Sequence, residues 1–209
     1  VVVWSPDGQL VAIGDGDQYL HLLDAKDGKE VRKITVAGSR HTPVAFSTDG
    51  KILISGGDQH LHLHDVETGK RIIPSLGIPI APNGFDTVAV GAKGRKVYSS
   101  VGDDLHVWDL DQKEESTVIE ENQTIYSLAA SPDGELLGIG MENGEVKLRK
   151  VQNGEVQREI RTGSQVNVLS FSPTGRVTVT NLGRTSCATQ HLAPTRSLRT
   201  TRTALAQAS

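Results

Sequence analysis

Apolar and polar residues alternate in short runs along most of this 209-residue chain. Leu61-His62-Leu63-His64 alternates with period two, and Val44-Ala45-Phe46 and Ile52-Leu53-Ile54 are short apolar runs bounded by turn-forming residues. Short runs of this kind are typical of β-strands, because successive side chains of a strand point to opposite faces of its sheet. The pattern therefore predicts an all-β protein.

A turn motif recurs with a period of about 41 residues. Ser5-Pro6-Asp7-Gly8 returns in full or weaker form at residues 47–50, 91–94, 131–134 and 172–175, and its closing glycines lie 42, 44, 40 and 41 residues apart. A second feature has the same spacing. In each period one alternating run ends at an equivalent residue, and these residues lie 41, 44 and 41 positions apart: Asp24, Asp65, Asp109 and Lys150. Two independent landmarks with one period indicate a structural repeat.

Each period contains four predicted strands joined by tight turns. A four-stranded unit of this size cannot bury both of its faces alone, so neighbouring units must stack, and radial stacking produces a β-propeller. The turns favour Pro at the second position and a glycine of positive φ at the end. We therefore assign a structural turn role to six residues, of which the aspartates are expected to cap backbone amides: Gly8, Gly50, Gly134, Asp17, Asp58 and Asp103.

The repeat resembles that of the WD40-repeat family. The run from Val44 to Gly50 matches the first strand and turn of that family, and the run from Asp104 to Asp109 matches its third strand, with Trp108-Asp109 as the one intact Trp-Asp pair. The equivalent pairs are Leu23-Asp24, His64-Asp65 and Arg149-Lys150, and the Gly-His pair that many members carry before the first strand is missing. The resemblance implies a β-propeller that serves as a platform for assembling other proteins.

Counting repeats gives four complete units and part of a fifth. The predicted blades are residues 1–40, 41–82, 83–123 and 124–164, with a partial blade at residues 165–181. Residues 182–209 show nothing like a third strand, and we expect them to be an irregular, disordered tail. Because a propeller must close, we expect the chain to be a fragment of a larger propeller, seven-bladed by family resemblance.

The formal net charge of −3 hides an uneven distribution. All 25 acidic residues lie at or before Glu159, so residues 1–160 carry −9 and residues 161–209 carry +6. A basic arm built on Arg196, Arg199 and Arg202 could contact phosphates. The abrupt loss of acids, Lys and repeat pattern instead favours a disordered or foreign end, so we do not expect nucleic-acid binding.

The candidate chemistry for metal binding and catalysis is weak. His60, His62 and His64 share one strand, with His21 and His106 equivalent to the middle one, and alternating histidines can bind Zn or Cu. Duplication of a blade explains the same pattern, so we expect no metal. Calcium, nucleotide and catalytic motifs fail in spacing, and the lone Cys187 has no acidic residue near it in the sequence. We therefore expect no cofactor, no small-molecule substrate and no enzyme activity.

The predicted function is that of a non-catalytic protein–protein interaction scaffold. Propellers present their loops from a rigid framework, and the candidate partner-contact residues are Gln18, Arg40, His41, Gln59, Asn83 and Asp104. We expect a cytoplasmic protein without membrane contact. The alternative is a quinone-cofactor propeller, a dehydrogenase or an outer-membrane-assembly relative, because the run from Asp65 to Lys70 fits the repeats of those proteins.

Overall fold

A computed structural model describes residues 1–14, 19–36, 43–47, 49–57, 60–77, 86–91, 96–111, 114–172, 174–182 and 187–192. The chain divides into two compact units, Val1–Glu120 and Glu121–Ser209. Within the described residues, every regular element is a β-strand, and none is a helix long and apolar enough to cross a membrane.

The first unit contains twelve strands in three sheets. Sheet 1 consists of β1 (Val2–Trp4), β2 (Leu10–Gly14), β3 (Tyr19–Asp24) and β4 (Glu30–Thr35). Sheet 2 consists of β5 (Val44–Phe46), β6 (Ile52–Gly57), β7 (His60–Asp65) and β8 (Arg71–Gly77). Sheet 3 consists of β9 (Thr87–Val90), β10 (Lys96–Val101), β11 (Asp104–Asp109) and β12 (Glu114–Glu120).

The second unit contains seven strands in two sheets. Sheet 4 consists of β13 (Ile125–Ala130), β14 (Leu136–Met141), β15 (Glu145–Lys150) and β16 (Val156–Arg161). Sheet 5 consists of β17 (Val168–Phe171), β18 (Val177–Leu182) and β19 (Cys187–Leu192).

In every sheet the strands pair antiparallel in the order in which they follow one another along the chain. The fold-class prediction is therefore confirmed: the protein is all-β, with four four-stranded antiparallel blades and one incomplete blade. A bulge recurs between the third and fourth strands at Leu23, Trp108 and Arg149, just before the residue that ends each third strand. A bulge adds local twist to the strand that carries it, so sheets 1, 3 and 4 share the shape of the outer hairpin, whereas in sheet 2 the register shifts between Leu61 and Leu63.

The apolar core lies between successive sheets of each unit. In the first unit, Leu20 and Leu22 of sheet 1 pack with Phe46 of sheet 2. The next layer repeats this packing, since Leu61 of sheet 2 packs with Val90 of sheet 3. The first strands of sheets 1, 2 and 3 contact one another in turn, and in the second unit β13 contacts β17. Within each unit, the sheets therefore stack with their first strands adjacent.

The prediction of an irregular segment from residue 182 onward is wrong for Cys187–Leu192. These residues form β19, which pairs antiparallel with β18 from Val177↔Leu192 to Leu182↔Cys187. Small and polar residues give this strand little apolar alternation, so its pattern alone did not identify it. The register is set by the neighbouring strand, which offers its backbone N–H and C=O groups for pairing. Residues 193–209 lie outside the described residues, as does the predicted basic arm.

Candidate functional site

Many of the predicted site residues lie outside the described part of the chain. These are Asp17, Gln18, Arg40, His41, Asp58, Gln59 and Asn83. Their assignments as turn or partner-contact residues stay predictions.

The three glycines assigned to Ser-Pro-Asp-Gly-type turns have positive φ angles: 71° at Gly8, 70° at Gly50 and 74° at Gly134. The serine that opens each turn organises it. Ser131 Oγ donates to Asp133 Oδ1 at 2.5 Å and accepts from the backbone N–H of Leu136 at 2.9 Å. The hydrogen bond from Ser131 is the main reason why the pKa of Asp133 lies below its usual value. These turns are self-contained hydrogen-bonded units, which gives the aspartates a structural role.

The signature aspartates at the ends of the third strands also cap turns. Asp65 Oδ1 accepts hydrogen bonds from the backbone N–H and the hydroxyl of Thr68 at 2.7 and 2.6 Å, and these bonds lower the pKa of Asp65. Asp24 accepts from the N–H of Lys26 at 2.7 Å, and Asp109 accepts from the N–H of Asp111 at 2.9 Å. A carboxylate that satisfies N–H groups of its own turn is a local stabilising device.

Trp108 and its equivalent in sheet 2 make parallel contacts in the core. Trp108 Nε1 donates to Ser99 Oγ at 2.8 Å, and both side chains are buried. In sheet 2, His64 replaces the tryptophan, and its Nε2 lies 3.4 Å from Ser55 Oγ. A buried polar side chain needs such a partner, so the repeat keeps a strand-to-strand hydrogen bond although the residue changes.

Asp103 and Asp104 lie at the turn between β10 and β11, and both are half-buried. The carboxylate that bonds to this turn comes from Asp86, whose Oδ2 accepts from the N–H of Gly102 at 2.8 Å. The sequence offered no repeat signal for Asp86, because it precedes a first strand and stands outside both landmarks.

The histidine rings of β7 contact one another in sequence, with His60 stacked on His62 and His62 edge-to-face with His64. His60 and His62 have ring centroids 6.1 Å apart, and His62 and His64 have centroids 6.5 Å apart. Among the described residues, no group of three or more His, Cys, Asp or Glu side chains is placed to hold a metal ion. Burial lowers the pKa of His64 to about 4, with the nearby His62 and Arg71 as further causes, so the side chain is neutral at physiological pH.

In the second unit, three loops meet at one end of sheet 4, and we call residues 121–124, 141–145 and 162–166 the three-loop surface. Backbone hydrogen bonds join them: Glu142 N–H to Thr124 O at 3.0 Å, Thr162 N–H to Gly144 O at 2.9 Å and Val166 N–H to Met141 O at 3.1 Å. Hydrogen bonds between loops remove backbone freedom, so this surface presents its side chains from a fixed backbone.

The backbone of the three-loop surface is constrained at Asn122 and Gly144. Asn122 has a φ of 60°, and it is the one non-glycine residue with positive φ in the described part of the chain. Gly144 has a φ of 82°, and a Cβ there would lie 2.7 Å from Ser164 O. Glycine and asparagine are the residue types that accept positive φ most readily, so these two positions suit the loops they occupy. The exposed side chains at this end are Asn122, Gln123, Glu142 and Asn143.

A buried ion cluster lies directly beneath the first loop of this surface. The Glu121 side chain is 0% exposed, and its two carboxylate oxygens bind Lys147 Nζ at 2.8 Å and Arg149 Nε at 2.5 Å. Arg149 also donates from Nη1 to Gly154 O at 2.6 Å. A buried carboxylate is tolerated only when it is paired and fully hydrogen-bonded. The cluster therefore fixes the start of the loop that carries Asn122.

Sequence reasoning missed this cluster. Glu121 stands 26 and 28 residues from its two partners, and the spacing signals no particular chemistry. The alternation of Lys147 and Arg149 on β15 was visible, but a charged strand face is ordinarily solvated. Only the pairing of β15 within sheet 4 brings these cations to the loop before β13.

Two family models match the chain. One, described as the anaphase-promoting complex subunit 4 WD40 domain, matches residues 83–192, which is more than half of the chain. The other, described as WD domain, G-beta repeat, matches residues 41–65. The first match ends at the last residue of β19. No curated protein matches the chain.

Proposed function

This chain belongs to the WD40-repeat family, and we propose that it is a non-catalytic, cytoplasmic protein–protein interaction scaffold that forms part of a larger propeller. Proteins of this family are of the interaction-scaffold type, and the longer of the two matches is to a domain from a subunit of a multi-subunit complex. Function in such folds lies in loops that a rigid framework positions.

The observation that carries the proposal is the three-loop surface. Its loops are joined by backbone hydrogen bonds, and its first loop is anchored by the buried Glu121 cluster. The exposed side chains at this end are amides and carboxylates, which form hydrogen bonds with a partner. Because the loops are ordered before binding, they lose little conformational entropy when a partner binds. This preorganisation favours affinity.

The chain offers a matched pair of glutamates for a direct test. Glu135 and Glu142 are both exposed, and they immediately precede and follow β14, so they lie at opposite ends of one strand. Glu142 belongs to the three-loop surface, whereas Glu135 belongs to the opposite turn. Glu142→Lys and Glu135→Lys therefore make the same charge change at two ends of sheet 4.

The experiment captures binding proteins on the immobilised chain and then measures the affinity of each purified binder by calorimetry. We expect Glu142→Lys to weaken binding by about tenfold or more, as at a contact residue near an interface centre, and Glu135→Lys to leave it unchanged. Equal affinities for both variants and the unsubstituted chain would show that the three-loop surface is not the binding site.

A further inference from the structure

One aromatic side chain of the second unit is open to solvent beside the three-loop surface. Tyr126 of β13 is 41% exposed, and among the described residues of that unit no other aromatic side chain is exposed. The register of β13 with β14 shifts between Ile125 and Ser127, whereas the first strands of the other four sheets pair in unbroken register. A bulge re-aims the side chains around it, so this irregularity, rather than strand alternation, sets the direction of Tyr126.

The repeat does not account for this tyrosine. The turn glycines Gly134 and Gly175 are 41 residues apart, and the same step from Tyr126 leads to Asn167, which is half-buried. The neighbouring repeat therefore keeps no aromatic ring at this position. A solvent-exposed tyrosine that the repeat does not require is a candidate contact residue, because Tyr is among the side chains that dominate the binding energy of protein interfaces.

An exposed aliphatic side chain lies on the adjacent strand. Val168 of β17 is 55% exposed. The backbone N–H of Leu169 donates to Ser127 Oγ at 2.8 Å, and Tyr126 and Val168 each directly precede one partner of this bond. The two exposed side chains therefore start from neighbouring positions on adjacent strands. Together they add apolar contact area next to the first and third loops of the three-loop surface.

The ionisable side chains within the three-loop surface are all carboxylates. Glu121 is buried and paired, and Glu145 lies opposite Arg161 in the strand register. Glu142 is exposed and forms no ion pair with another described residue. The three-loop surface therefore presents one carboxylate whose charge is not balanced by a neighbouring cation.

Glu142 and Tyr126 are close to each other in the fold. The backbone N–H of Glu142 donates to Thr124 O at 3.0 Å, and Thr124 is two positions before Tyr126 in the chain. An unpaired carboxylate and an exposed aromatic ring thus lie on neighbouring strands at the same end of sheet 4. This combination has the chemistry that recognises an organic cation, since the ring face attracts positive charge and the carboxylate binds it.

We propose that the three-loop surface binds an arginine side chain of its partner protein, with Tyr126 and Glu142 as the residues that select it. The inference rests on the proposed scaffold function and names the chemistry of the partner at that same surface. The guanidinium stacks on the Tyr126 ring and donates to the Glu142 carboxylate, while its apolar stem lies against Val168. The exposed amides of Asn122 and Gln123 hydrogen-bond with the backbone of the partner segment.

Arginine fits this combination better than lysine does. Its planar guanidinium is weakly hydrated, stacks on aromatic faces and offers a fork of N–H donors to a carboxylate, whereas the lysine ammonium is a strongly hydrated point charge. A neutral side chain would cover the Glu142 carboxylate without pairing it, which is unfavourable. Citrulline has nearly the shape of arginine without its charge, so it separates the contribution of charge from that of shape.

The test uses the purified 209-residue chain and two resin-displayed libraries of heptapeptides. One library has arginine at its centre and the other has citrulline, and the flanking positions exclude Lys and Arg in both. We expect the chain to be retained preferentially by the arginine library. For the peptide that binds most tightly, calorimetry should show that replacing arginine by citrulline weakens binding by about tenfold or more.

Substitutions in the chain assign this preference to the two selecting residues. Tyr126→Ala and Glu142→Gln should each weaken binding of the arginine peptide by about tenfold. Tyr126→Phe, which keeps the ring, should stay within about threefold of the unsubstituted chain. Val156→Ala and Glu135→Gln are matched controls that should leave binding unchanged, because Val156 lies on β16 at the opposite edge of sheet 4 and Glu135 lies in the opposite turn.

Urea unfolding followed by circular dichroism shows whether each variant keeps the second unit folded. Where Tyr126→Ala lowers the unfolding midpoint, Tyr126→Leu replaces it, since leucine retains apolar bulk without the ring. Equal retention by the two libraries overturns the proposal. Unchanged affinity in Glu142→Gln, or in the folded variant that lacks the ring, overturns it as well.

The peptide test needs no cellular partner, so its failure is distinguishable from failure of the scaffold proposal. Equal binding of arginine and citrulline peptides, together with captured proteins that bind Glu142→Lys weakly, would overturn the arginine assignment and leave the scaffold function standing. Arginine selectivity together with captured proteins that bind Glu142→Lys and Glu135→Lys equally would have the opposite meaning.

Discussion

Acid should destabilise the first unit through His64, whose side chain is buried in sheet 2. Burial lowers the pKa of His64 from 6.5 to about 4, and the neighbouring His62 ring and the Arg71 guanidinium act in the same direction. In the unfolded chain the imidazole regains its usual pKa. As the pH falls, the unfolded state therefore takes up this proton before the folded state does. The free energy of unfolding is unaffected above the unfolded pKa and decreases as the pH falls from about 6.5 towards 4.

The magnitude follows from the size of the pKa shift. Each pKa unit corresponds to about 1.4 kcal/mol in the free energy of unfolding, so the full shift lowers that free energy by about 3 kcal/mol below pH 4. About 2 kcal/mol of this decrease falls between pH 7 and pH 5. The turn aspartates titrate lower still, because Asp7, Asp49 and Asp133 have pKa values lowered from 3.8. Their contributions disappear at more acidic pH, so these aspartates do not account for a loss of stability between pH 7 and pH 5.

The assay is urea unfolding at pH 7, 6 and 5, followed by tryptophan emission, since both tryptophans lie in the first unit. His64→Gln removes the titrating ring, and His60→Gln on the same strand is the exposed control. We expect the unsubstituted chain and the control to lose about 2 kcal/mol more than His64→Gln between pH 7 and pH 5. An equal loss in all three proteins would refute the assignment of acid sensitivity to His64.

Three further substitutions test the contacts on which the fold and the site depend, each read by urea unfolding. Glu121→Gln leaves two half-buried cations without their carboxylate and should cost about 3 kcal/mol in the second unit, measured by circular dichroism. Gly144→Ala should cost more than Gly163→Ala, because both glycines have positive φ but only the first Cβ would meet backbone atoms. Ser99→Ala removes the partner of the buried indole and should cost about 1–3 kcal/mol, whereas Ser100→Ala, whose hydroxyl has no partner among the described residues, should be near neutral. A reversed order within either pair, or a neutral Glu121→Gln, would contradict the corresponding contact.

The repeat was predictable from the sequence because its determinants are local. The serine of each turn bonds only to residues within five positions of it, as Ser131 does with Asp133, Gly134 and Leu136. Alternation along β7 and the fixed spacing of the turns then predict antiparallel strands in sequence order. The fifth blade was the exception, since β19 has little alternation and is held by its pairing with β18.

The site depended on contacts that no local pattern contains. Glu121 meets its two cations only because the register of sheet 4 brings β15 to the loop before β13. The positive φ of Asn122 is likewise a property of that loop within its surroundings. Long-range charge pairs and loop contacts are therefore available only from the tertiary structure.

The sequence by itself determined the all-β repeat, its period and its turns, because hydrogen bonds between near neighbours and side-chain alternation specify them. Only the tertiary structure decided which repeats are covered. Val2 and Trp4 look like Val44 and Phe46 in the sequence, yet the first pair is open to water and the second is in the core. Burial depends on the sheet that packs against a face, and the residues of the face itself do not specify that neighbour.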